Sequence, residues 1–107
     1  MSRDVSFEAA GQVWTLRFGI NALAALEAQL DKPINEIFAE LDGKAMRIGM
    51  FRTIVRTGLA QHHLGLTDEK VGDLMDEVGV ARIGEHVGAA IKAAFPDATP
   101  GEAPAGA

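Results

Sequence analysis

Apolar and polar residues along the chain first alternate and then change period. In "VSFEAAGQVWTLRF", Val5 and Phe7 alternate with polar neighbours, and Trp14, Leu16 and Phe18 do so again around Thr15 and Arg17. A period of two predicts a β-hairpin over residues 4–18, closed at "AAGQ", where Gly11 is free to take a positive φ. Trp14, Leu16 and Phe18 would face a core. A lone two-stranded hairpin is marginal in water, so this one must pack on other elements.

From residue 20 onward the period becomes helical. Leu23, Leu26 and Leu30 recur at i, i+3 and i+7 behind Asn21, a candidate N-cap. Pro33 interrupts that run and suits the first turn of a new helix. There Ile34, Ile37, Phe38 and Leu41 form one stripe that ends at Gly43. A third helix, expected from Lys44 to His63, carries two adjoining apolar arcs. One arc is Ile48, Phe51, Val55 and Leu59; the other is Met46, Met50 and Ile54. So wide an arc predicts a central helix touched on two sides. Gly49 and Gly58 within it each cost about 1 kcal/mol of helix propensity against Ala. They either permit close contact or simply weaken the helix.

Thr67 is the expected N-cap of a fourth helix, with Asp68 and Glu69 in its first turn complementing the macrodipole. Val71, Leu74, Met75 and Val78 face inward, and Gly79 is a natural stop. A last helix is expected from Ala81 to Phe95, with Ile83, Val87, Ile91 and Ala94 inward and Pro96 ending it. The segment 96–107, "PDATPGEAPAGA", has too little apolar bulk to offset its own ordering entropy, and a flexible tail is expected there. The whole pattern predicts a mainly α, small α+β fold, with hairpin 4–18 packed on a bundle of about five helices across residues 21–95. These form one globular domain, 1–95.

Composition narrows the function classes. A chain of 107 residues suits one domain that can bury a core without covalent staples. The absence of cysteine rules out disulfides, a thiol nucleophile and Cys-based zinc sites. No apolar run approaches the roughly 18 residues that span a bilayer. The start, "MSRDVSFEAAG", has acids at Asp4 and Glu8 and no apolar h-region, so a cytoplasmic protein with no membrane partner is expected. A net charge of −5, from 15 acids against 10 Lys and Arg, opposes general binding to nucleic acid.

Candidate chemistry is sparse. Adjacent His62 and His63 would point about 100° apart on a helix, and neither they nor His86 show the i, i+4 spacing of a shared metal. The plainer reading places His62 and His63 at the carbonyl end of a helix. Ser2 and Ser6 are the only serines, and neither lies in a nucleophile elbow. Asp68, Glu69, Asp73, Asp76 and Glu77 are spaced along a helix face, unlike a calcium loop. No phosphate-binding glycine motif occurs. The expectation is therefore no catalytic residue, no metal and no cofactor. "VRTGLAQHHLGLTDEKVGDLMDEVG" has the outline of a helix-turn-helix, yet its second helix carries five acids and only Lys70, which repels phosphate.

Two features remain as candidate partner-binding surface. Arg52, Arg56 and His63 share the polar face of the third helix, where they either dock an acidic or carbonyl-rich partner or pair with acids of neighbouring helices. Met46, Met50 and Ile54 are the apolar surplus of that helix, either interface or core.

The run "FEAAGQVWTLRFGINALAALEAQLDKPINEIFAEL" resembles the gene-transfer-agent and phage tail assembly chaperone family, small proteins of alphaproteobacterial prophages. The likeness lies in a hairpin ending in "LRF", then "NALAALEAQLDKPINEIFAEL", then the long helix of "RIGMFRTIVRTGLAQHHLGLT" and the closing "LTDEKVGDLMDEVGVARIGEHVGAAIKAAF". It covers Val5 to Phe95. The resemblance implies a non-enzymatic chaperone that binds the tape measure protein, and other tail proteins, until tube subunits replace it. It leaves self-association open. The family has also been labelled a tail tube protein, which would make the chain a structural, tube-associated component, although tube rings are usually β-rich. A helical DNA-binding regulator is a further alternative, opposed by the acidic balance.

Overall fold

A computed structural model describes residues 4–43 and 46–95. Strands β1 (Val5–Ala9) and β2 (Gln12–Leu16) pair antiparallel, with Phe7 opposite Trp14 and Val5 opposite Leu16. The two residues between them, Ala10 at φ 53° and Gly11 at φ 78°, are both left-handed. A two-residue turn of that kind matches the right-handed twist of the strands it joins. Five helices follow: α1 (Ile20–Leu30), α2 (Ile34–Gly43), α3 (Ile48–Leu59), α4 (Asp68–Val78) and α5 (Val80–Ala94). The fold is the small, mainly helical α+β arrangement that the pattern predicts. The expected tail 96–107, the stop at Pro96 and the expected helix start at Lys44 lie outside the described residues.

Local chemistry explains most of the boundaries. Thr67 Oγ1 accepts from the Lys70 N–H at 3.2 Å and caps α4, as expected. Gly79, at φ 97°, ends α4 and immediately starts α5. The carbonyl of Pro33 accepts from the N–H groups of Glu36 and Ile37, which launches α2. Asn21 does not cap α1. That helix begins at Ile20 behind Gly19, without a side-chain cap, so Asn21 already lies in its first turn.

The core is built from both ends of the chain. Leu16, Phe18, Leu26, Ile37, Ile54, Leu59, Ile83 and Val87 are all fully buried. Helix α3 packs on α1, α4 and β2, while α5 packs on β1 and α4. Among the described glycines, Gly58 is the most closely packed: a Cβ there would meet Phe18 Cζ at 2.6 Å and Leu16 Cδ2 at 2.9 Å. The Gly58 carbonyl also accepts from the Arg17 N–H at 2.8 Å, so α3 caps the outer edge of β2 directly.

Several details differ from the pattern. Helix α3 is shorter than Lys44–His63, because Met46 and Arg47 precede it and the chain turns after Leu59. Ile48 does not join Phe51, Val55 and Leu59 in the core; it is 62% exposed at the first turn. Ile91 is only partly buried, and Ala90 takes its place inside. Both shifts reflect where α3 and α5 meet neighbours, which periodicity alone does not specify.

Candidate functional site

The six residues singled out in the sequence scatter in three dimensions. Arg52 Nη2 lies 3.8 Å from Asp68 Oδ2, and Arg56 Nε lies 3.4 Å from Asp68 Oδ1. Arg56 also donates to Gln29 Oε1 at 3.4 Å. Both arginines thus tie α3 to the first turn of α4, in half-exposed pairs worth at most about 1 kcal/mol each. Arg52 Nε is buried with no hydrogen-bond partner among the described residues. Ile54 is fully buried, Met50 packs partly buried against the core, and Met46 lines an open groove.

His62 and His63 follow the C-terminal end of α3, where the N–H groups of both donate to the Leu59 carbonyl, and their side chains reach the hairpin region. His62 Nε2 lies 3.4 Å from Asp4 Oδ2, and Asp4 also pairs with Arg17. His63 Nε2 accepts from the Thr15 N–H at 3.0 Å, so that nitrogen must keep its lone pair. The His63 ring lies 5.0 Å from that of Trp14. Burial, and then the neighbouring His62, lower the His63 pKa below its ordinary 6.5. Arg56 and His63 also line one cleft, of about 540 Å³, between α1 and the α3–α4 turn. There Leu64 is 89% exposed.

The more apolar concavity lies elsewhere, between the end of α2, the start of α3 and α5. It has a volume of about 610 Å³. Leu41, Met46 and Phe51 contribute its more buried lining, and Ile48 and Val80 are exposed beside them. Along α5 it is lined by Ala81, Gly84 and Gly88, and among the described residues its acidic lining is Asp42 and Glu85. The geometry follows from the sequence: Ile83 and Val87 turn into the core, which leaves the next stripe of α5 to Val80, Gly84 and Gly88 at i, i+4 and i+8. Sequence reasoning identified Met46 and missed the α5 wall. The available signal was "GEHVG", two glycines four residues apart inside a predicted helix.

Nothing in the described residues gathers chemistry at this groove. No group of three or more His, Asp or Glu side chains is placed to hold a metal among them. None of their helices is long and apolar enough to cross a membrane. His86 stacks on Phe7 with ring centroids 4.5 Å apart, beside Arg82 and Glu77, in a smaller cleft along β1. Comparison with protein-family models, curated proteins and solved structures finds no match to this chain.

Proposed function

We propose that the chain is a non-enzymatic tail assembly chaperone of a phage or gene transfer agent. It binds the tape measure protein in the host bacterial cytoplasm during tail morphogenesis. The resemblance across Val5 to Phe95 names the partner. The observation that carries the binding role is the open apolar groove between α3 and α5, with Ile48 62% exposed and Val80 51% exposed at its sides. An apolar groove between helices is the receiving half of helix-in-groove recognition. Weak contacts repeated along a long helical partner would hold it soluble through avidity and still yield to tube subunits.

Co-expression with a tape measure protein of a phage or gene transfer agent tests this reading. The tape measure protein is expected to move into the soluble fraction and to co-purify with the chain. Unchanged solubility with no co-purification would remove the reading. Mass spectrometry of finished particles separates a chaperone, which leaves, from a structural tail component, which stays at stoichiometric abundance.

A further inference from the structure

The groove also carries information about what fills it. Its walls are helices, so the described residues offer no strand edge for an extended peptide to join. A helix brings its own backbone already satisfied and needs only side-chain contact. Helix α5 leaves space for that contact. Among the described residues, a Cβ at Gly88 would meet nothing within 4 Å, and one at Gly84 would meet Phe51 Cζ alone, at 3.9 Å. The described part of the fold therefore leaves room beside these residues. From Val80 to Gly88, α5 rises about 12 Å, enough to face roughly two turns of a visiting helix.

Charge restricts the visitor further. Among the described residues, the charged side chains lining the groove are Asp42 and Glu85, both acidic. Arg82, on the same helix as Glu85, lines the cleft along β1 instead. The net charge of the chain, −5, has the same sign. The chain's own segment 96–107 is a poor occupant: it contains Asp97 and Glu102, no Lys or Arg, and no bulky apolar residue.

We infer that this groove takes an amphipathic α-helix of a partner protein whose apolar stripe is flanked by Lys or Arg. The inference rests on the docking role proposed above and adds the chemistry of the partner. The apolar stripe covers Ile48 and Val80 and approaches the bare backbone at Gly84 and Gly88. The flanking cations lie against Asp42 and Glu85.

The test uses the full chain and two synthetic 20-residue helical peptides with the same Leu/Ala stripe, one flanked by Lys and one by Glu, followed by fluorescence anisotropy. The Lys-flanked peptide is expected to bind about tenfold tighter at low salt, with the gap narrowing as screening rises. Asp42→Lys combined with Glu85→Lys should invert the preference. Gly88→Leu fills the groove and should abolish binding of both peptides, while a thermal melt reports that the fold is retained. Equal binding of the two peptides, no binding of either, or full binding by Gly88→Leu would each overturn the inference. So would a dimer of the chain that Gly88→Leu dissociates, since the occupant would then be a second copy. If the peptides fail but the tape measure protein is still held soluble, the groove assignment is wrong and the chaperone role stands. If the Lys-flanked peptide binds as expected and the tape measure protein is not held, the groove assignment stands and the chaperone role falls.

Discussion

Gly58 and Gly88 both sit inside helices, and their surroundings are opposite. At Gly58 the missing side chain is filled by the hairpin: Phe18 and Leu16 come closer than any Cβ would allow. At Gly88 none of the described residues comes within reach of a Cβ. One glycine is needed for the fold to close, and the other leaves a surface open. The same residue type, with the same helix-propensity cost, therefore marks a close packing contact at one site and an apolar groove at the other.

That contrast can be tested from the packed side outward. Phe18 is fully buried against Gly58, and Phe18→Ala should cost about 3–5 kcal/mol, read from urea unfolding. A loss below about 1 kcal/mol would mean that the hairpin does not anchor the helices. Gly58→Ala should cost about 1–3 kcal/mol by overpacking, despite its better helix propensity. Combined with Phe18→Leu it should cost less than the sum of the two single changes, because they share one space; strict additivity would argue against the close contact. On the open side, Gly88→Ala should have the opposite sign and stabilise the fold by about 0.5–1 kcal/mol. A destabilised Gly88→Ala would show that the groove is filled in solution.

The smallest expected effect concerns pH and is again confined to the packed side. His63 accepts from the Thr15 N–H through Nε2, and its folded pKa is lowered. In the unfolded chain it titrates near 6.5. The unfolded state therefore binds the proton first, and the stability from neutral His63 is full above that pH. It is lost as the pH falls from about 6.5 through the lowered folded value. His63→Gln keeps an acceptor for Thr15 and removes the titration, so melting temperature followed from pH 7.5 to 5 should flatten in that variant. Parallel acid profiles for the two proteins would remove His63 as the cause. Asp4, His62 and Arg56 stay in place in both, so the difference reports His63 together with its coupling to His62.

Much of the fold was legible because it depends on local rules. The hairpin register follows a two-residue turn, although the turn needs Ala10 as well as Gly11 in the left-handed region. Thr67 and Gly79 mark the ends of α4 where the sequence says they should. The inward stripes at Leu23 and Leu26, at Val71, Leu74 and Met75, and at Ile83 and Val87 are all buried. The candidate site was much less legible. Arg52, Arg56 and His63 share a polar face in the linear reading, but Asp68 and Thr15 take them up, and both lie on other elements. Met46 reached the groove, and so did Ile48, which stands 62% exposed at the first turn of α3.

The sequence by itself determined the elements, their order and most of the inward-facing residues of each helix. Period, capping residues and turn glycines act over a few residues and carry that information locally. Only the tertiary structure decided which apolar residues were left over. Whether Ile48, Val80, Gly58 or Gly88 is covered depends on which element arrives beside it. Two faces of equal hydrophobicity differ only in the neighbour that the rest of the chain places there.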